Sequence, residues 1–355
     1  MEVNTQQIPM LELLLRPAFC VVAGRITKIN QAAAPYLLQE GDDVIPMLAT
    51  GKEEYAAFTD GCLYLTLTIG NRKLGANVLA LEDCHLFVLE QASEKTELQS
   101  LALAAKELRE PLAGMATSAS HILSQSEADQ KYMAQFNRRL YQTMRIVSNM
   151  SDAVLFSGAS ADCMEYVELC SFLDEILGKT AEQLLAAGVH LQYELPHQPI
   201  FTQIDAAKVE RAAYNLIANA AKHSPAGGSI QLKLICRGRL YLSVTDQGAG
   251  IPSGIKSSIF DRYLRTPSIA DGLEGIGLGM VLIRAVATLH GGTVLIDQPQ
   301  GCGTRVTMTL ALRQGNTMQI RSPILHIDYA GERDHGLQEL ADVLPASLYA
   351  PEQLK

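Results

Sequence analysis

The 355-residue chain lacks any run of about 18 consecutive apolar residues, the length that a membrane-spanning helix needs. Its start, MEVNTQQIPMLELLLRP, also lacks the basic residues that precede the apolar stretch of a secretory signal, carrying Glu2 and Glu12 instead. Together these absences predict a soluble, cytoplasmic protein. Basic side chains are in short supply, 29 Lys and Arg against 38 Asp and Glu for a net charge of −9. That balance argues against general nucleic-acid binding, which relies on clustered Lys and Arg to grip phosphate. Seven cysteines, scattered and without a C-x-x-C pair, exclude both a zinc ribbon and a disulfide framework. What is present is an apolar fraction of 48%, too high for a disordered chain. At about 100 to 200 residues per domain, the length asks for two or three domains.

Residues 1–92 alternate short apolar segments with turns. AFCVVAGRITKIN reads as two strands across Gly24, CLYLTLTIGNRKLGANVLAL as a hairpin turning at Gly70-Asn71, and CHLFVLEQ as a last strand. Short helices are expected between them, from QAAAPYLLQEGDDVIPMLATGKEEYAAF. This order resembles a PAS-type α+β sensor domain. Residues 94–158 change texture. Leu101, Ala105, Leu108, Leu112, Met115, Ala119 and Ile122 alternate spacings of four and three, an a/d seam, and Met133, Phe136, Leu140, Thr143, Val147, Met150 and Val154 repeat it. The polar SQSEADQ joins the two helices into a hairpin. One hairpin half-buries two seams, so a four-helix bundle built from two chains is expected, the alternative being a monomeric hairpin packed on the other domains.

Residues 163–313 mix helical and strand patterns in an order that predicts a two-layer α/β sandwich, and 314–355 form an acidic tail with one helix. The whole is an α+β multidomain chain. Within the third region, the helix opened by Asp205 carries Asn215, Asn219 and Lys222 within roughly 60° of one another, and Val209, Ala213, Leu216, Ile217 and Ala220 on the other side. An amide oxygen is a hard ligand suited to Mg²⁺ and a lysine is a point charge for phosphate. Alone, such a stripe is also the pattern of a solvated helix face. It is followed by VTDQGAGIP, where Asp246 ends a strand and Gly248 and Gly250 let the backbone pass close to a flat ligand. After IFDRYLRT, Gly275, Gly277, Leu278 and Gly279 open a helix whose N–H groups suit phosphate, though three alternating glycines often serve turns only. GCGTRVTMTL then places Thr304 at the start of a strand.

In order, spacing and identity, NLIANAAKHSP, VTDQGAGIP, IFDRYLRT and GIGLGMVLI resemble the N, G1, F and G2 boxes of the sensor histidine kinases, within the GHKL group of Bergerat-type ATP-binding folds. The resemblance covers residues 98–313 and implies ATP and Mg²⁺ as ligands. It implies that Asn219 ligates the metal with Asn215 in support and that Lys222 contacts phosphate. Asp246 would take the adenine amino group beside Thr304, and Gly248, Gly250, Gly275, Gly277, Leu278 and Gly279 would shape the loops. His223 stands where the family often has an aromatic residue and implies a weaker contact. Hydrolases and serine kinases of the same group place a Glu four residues before the metal-binding Asn. Here that position is Asn215, a neutral amide that cannot act as general base.

The chain departs from the family in the box that carries the phosphoacceptor. AKELREPL matches at Glu107, Leu108, Arg109, Pro111 and Leu112, so Lys106 occupies the histidine slot. Imidazole, with an ordinary pKa of about 6.5, offers a free lone pair near neutral pH, whereas an exposed lysine amine at about 10.4 does not. Glu110 stands where family members place the Thr or Asn that positions water, and His121, fifteen residues beyond Lys106, is too far to substitute. The expectation is a dimeric, histidine-kinase-like protein that binds Mg-ATP, lacks autophosphorylation and signals through its helical bundle to a response regulator or a complete kinase. Two alternatives stay open: an active kinase working in trans on a partner's histidine, and a scaffold that no longer needs nucleotide.

Overall fold

The computed structural model describes residues 11–12, 14–90, 104–109, 111–115, 118–119, 126–157, 164–251, 278–299, 303–313 and 334–354. Among them, no helix is long and apolar enough to cross a membrane. The N-terminal strands are β1 (Ala18–Val22), β2 (Arg25–Ile29), β3 (Cys62–Ile69), β4 (Arg72–Ala80) and β5 (His85–Leu89). Ala23 and Gly24 both take positive φ (48° and 79°), the combination whose twist suits a two-residue hairpin between β1 and β2. Two 3-10 turns and the short α1 (Lys52–Ala56) fill the connection from β2 to β3.

The second half contributes β6 (Glu165–Glu168), β7 (His190–Glu194), β8 (Phe201–Ile204), β9 (Ser229–Cys236), β10 (Arg239–Thr245), β11 (Val294–Asp297) and β12 (Arg305–Ala311). Its helices are α2 (Glu127–Ser157), α3 (Leu169–Ala186), α4 (Ala206–His223), α5 (Gly279–Leu289) and α6 (His335–Glu339). Carboxylates begin three of them: Glu168 accepts from the N–H groups of Cys170 and Ser171, Asp205 from that of Lys208, and Asp334 from those of Gly336 and Leu337. Leu173 and Leu177 of α3, Val209, Leu216 and Ile217 of α4, and Leu232, Leu240, Val244 and Met308 of the sheet share one buried core. Each such side chain contributes about 1.5–3 kcal/mol by leaving water.

The expected units join in a way that the sequence did not announce. A single ten-stranded sheet runs β2-β1-β5-β4-β3-β11-β12-β10-β9-β7, because β3 pairs antiparallel with β11 through Tyr64↔Val294, Leu63↔Leu295 and Cys62↔Ile296. The physical reason is that each half otherwise leaves an unpaired edge, and pairing removes both. Consequently β3 is covered on its two faces: Leu63, Leu65 and Leu67 look into the N-terminal core with Phe19 and Phe87, while Cys62 and Tyr64 look into the core of the second half. Gly61 makes the approach possible, since a Cβ there would stand 2.2 Å from the Ile296 carbonyl oxygen. Side chains reinforce the joint: Arg284 of α5 meets Glu90 at 2.6 Å and lies over the Tyr64 ring at 4.6 Å, and Arg239 meets Glu54 at 3.1 Å.

The helical seam is half used within the chain. Ala105, Leu112, Leu140, Met144, Val147 and Met150 cluster with Leu278, Val281 and Leu282 at the start of α5. The intervening seam positions Leu108, Met115 and Phe136 remain 46% exposed each. Leu101, Glu110, His121 and Ile122 lie outside the described residues, as does the side chain of Val154.

Candidate functional site

The polar stripe of α4 is turned toward the opening of α5. Asn215 is fully buried; its Nδ2 donates to the Arg211 carbonyl at 2.8 Å, and its Oδ1 has no hydrogen-bond partner among the described residues. That oxygen faces Gly279, whose missing Cβ would lie 3.0 Å away, and the amide of Asn219 is 3.5–3.7 Å from the same point. Asn219 Nδ2 approaches Met280 Sδ at 3.8 Å. An orphaned, buried amide oxygen beside a second amide and a helix N-terminus is a fitting donor set for a hard cation carrying phosphate. Lys222 is half-buried and His223 exposed in the last turn of α4.

Asp246 sits where β10 ends, 7% exposed. Its Oδ1 accepts from the N–H groups of Gly248 at 2.8 Å and Thr304 at 3.0 Å, while its own N–H donates to the Thr304 carbonyl at 2.9 Å. Both donors among the described residues therefore use one carboxylate oxygen, Oδ1. Thr304 stands beside Asp246, and its backbone holds it there. Gly248 has a reason that was not foreseen: a Cβ would come within 2.4 Å of the His223 carbonyl oxygen, so the glycine lets the strand end close on α4. Gly250 takes φ +77° over Gln298.

Sequence reasoning missed Gly303. It adopts φ +94°, and a Cβ would meet the Asp246 carbonyl oxygen at 1.9 Å, so this residue seats the carboxylate. The glycine pair preceding Thr304 was the available signal. His290 is another: its Nε2 accepts from the Asp205 N–H at 3.0 Å and its Nδ1 donates to the Val286 carbonyl at 2.8 Å, tying the start of α4 to the end of α5. Burial holds this imidazole below its usual pKa, so it is neutral.

Leu278 is buried at the start of α5, against α2. Gly275, Gly277 and the stretch IFDRYLRT lie outside the described residues. Lys106 and Glu107 are exposed on the helical stretch 104–109, flanked by the buried Ala105.

Residues 204–314 match the family described as histidine kinase-, DNA gyrase B-, and HSP90-like ATPase. The chain is 31% identical over 159 residues to the sensor histidine kinase WalK of Bacillus subtilis, covering 42% of this chain and 25% of that protein. It is 29% identical over 292 residues to the alginate biosynthesis sensor protein KinB of Pseudomonas aeruginosa, covering 79% of this chain and 48% of that one. The chain thus spans from about a quarter to a half of the length of these relatives. Among solved structures, full-length ShkA in complex with AMPPNP superposes over 61% of this chain and 46% of its own, with a TM-score of 0.50 and 20% identity, a likeness of fold.

Proposed function

We propose that this chain is a member of the sensor histidine kinase family that binds Mg-ATP but lacks a phosphoacceptor of its own, a reading that its ATPase-domain match and its relatives support. The observation that carries the reading is the convergence of Asn215 and Asn219 on the opening of α5, together with Asp246 held at the end of β10 by the N–H groups of Gly248 and Thr304. Mg²⁺, when bound, would neutralise phosphate charge. The amide oxygen of Asn219 would hold it with Asn215 in support, and Lys222 would add a cation for the phosphates. Asp246 accepts the adenine amino group on Oδ2, and Gly248, Gly250 and Gly303 keep that carboxylate in place. Gly275, Gly277, Leu278 and Gly279 frame the phosphate side, with His223 and Thr304 at the margins.

Lys106 puts an amine rather than an imidazole in the histidine slot, so ATP acts as a conformational ligand that biases the hairpin. The exposed Leu108, Met115 and Phe136 support a homodimer, since they are the half of the seam that the chain leaves unburied. The strand order of residues 1–92 supports a PAS-like sensor reading in a cytoplasmic protein whose partner is a response regulator or a complete histidine kinase. Transfer in trans to a partner's histidine is favoured over a nucleotide-free scaffold because Asn215, Asn219 and Asp246 stand in positions that suit a nucleotide. Calorimetric titration with ATP tests the reading: saturable binding that requires Mg²⁺ and weakens in Asn219→Ala is expected, and absence of binding refutes it.

A further inference from the structure

The C-terminal residues 334–354 lie in the angle between α2 and the helices α3 and α4. Leu340, Ala341, Leu344 and Tyr349 are fully buried there. Side chains of α2 read this segment's backbone: Asn137 Nδ2 donates to the Tyr349 carbonyl at 2.9 Å, and Arg138 Nε and Gln142 Nε2 donate to that of Ala341 at 3.2 and 3.1 Å. Arg145 pairs with Asp342 at 2.5 Å, and the rings of Tyr141 and Tyr349 meet edge to face. On the other side, Asp334 is held by Gln183 at 3.0 Å and Lys179 at 3.1 Å of α3.

Glu339 is the node. It is 2% exposed and pairs with Arg211 of α4, with Arg145 of α2 at 3.9 Å. Arg211 in turn reaches Asp152 at 2.7 Å and Asn149 at 3.0 Å on α2. A buried carboxylate between guanidinium groups of two different helices ties those helices together, because removing it leaves Arg211 with Asp152 and Arg145 with Asp342 but nothing shared between them. Arg211 lies one turn before Asn215 on α4. The stripe of α2 that reads the segment is about 130° around the helix from Leu140, Met144 and Val147, which cover the start of α5.

We propose that residues 334–354 are an intramolecular strap that pins α2 across the nucleotide-binding half, keeps the hairpin over the opening of α5 and restrains the site from reaching an acceptor on another chain. This inference rests on the Mg-ATP reading above and adds its regulation. Displacing the strap leaves α2 held to α4 by the contacts of Arg211 with Asp152 and Asn149, so α2 is loosened without touching Asn215, Asn219 or Asp246.

The test uses the full chain as donor, either unaltered or carrying Glu339→Gln with Tyr349→Ala. The acceptor is a separate full chain carrying Lys106→His with Asn219→Ala, which presents an imidazole but a weakened site of its own. With Mg²⁺ and γ-labelled ATP, the strap variant is expected to label the acceptor about tenfold faster than the unaltered donor at equal ATP affinity. Hydrogen exchange should rise in α2 and the first turns of α5 while β9 and β10 keep their protection, which also shows that the variant is folded. The milder Asp342→Ala, which removes only the Arg145 pair, should give a smaller increase in the same direction. Equal transfer by all donors, with ATP bound by each, overturns the strap. Failure of every donor to bind ATP in calorimetry overturns instead the reading on which it rests.

Discussion

Asp246→Asn isolates the step at which the site distinguishes one base from another. The substitution keeps an acceptor oxygen for the N–H groups of Gly248 and Thr304, so the loop geometry survives. What changes is the position of Oδ2, where an N–H donor replaces an acceptor and faces the adenine amino group. A hydrogen bond to a charged acceptor is worth about 1.5–3 kcal/mol, so ATP should bind roughly 10- to 150-fold more weakly. At a concentration one hundred times the unaltered Kd, ATP should stabilise the unaltered chain by about 2.7 kcal/mol and the variant by only about 0.3–1.4 kcal/mol. Guanine carries a carbonyl where adenine carries the amine, so the same change should raise affinity for GTP relative to ATP. Titration calorimetry with both nucleotides, alongside thermal melts, measures the ratio. An unchanged ATP-to-GTP ratio in a folded variant would show that Asp246 does not receive the base.

Gly61→Ala pushes a methyl group into the Ile296 carbonyl at a position with φ +88°, so it should open the β3–β11 joint and cost about 1–3 kcal/mol. Exchange at Tyr64 and Leu295 should accelerate, and unchanged protection there would mean that the two halves are not held by this pairing. His290 is neutral when folded, with its pKa below the ordinary 6.5, so the unfolded chain binds the extra proton. Its contribution is present above about pH 6.5 and is lost as the pH falls through its depressed value. Melting between pH 7 and 5 should therefore drop more steeply for the unaltered chain than for His290→Gln, and parallel curves would contradict this. Lys106→His restores an imidazole to the acceptor slot; acid-labile, ATP-dependent labelling of that variant is expected, and a silent variant would place the defect elsewhere in the machinery.

Much of the candidate site was legible because its residues sit at fixed spacings within single elements. The helix carrying Asn215, Asn219 and Lys222 announces its polar stripe through 3.6-residue periodicity, and Asp246 announces itself as the end of an alternating strand. Contacts between distant segments were not legible in this way. Nothing in CLYLTLTI distinguishes a sheet edge from a central strand until Val294–Asp297 is found beside it. The acidic tail gave only a helix, because the meaning of Glu339 depends on Arg211 and Arg145, 128 and 194 residues away in the chain. The a/d seam correctly marked apolar faces but could not say that α5 would cover half of them. Gly248 was legible only as room for a flat ligand and Gly303 was missed, because each lets one backbone approach another from a distant part of the chain.

The central claim, a site built for Mg-ATP beside a bundle with no phosphoacceptor, is tested most directly by incubating the unaltered chain with Mg²⁺ and γ-labelled ATP. Nucleotide bound to the chain with no label left on the protein is the predicted result. An acid-labile phosphohistidine on the isolated chain would contradict it.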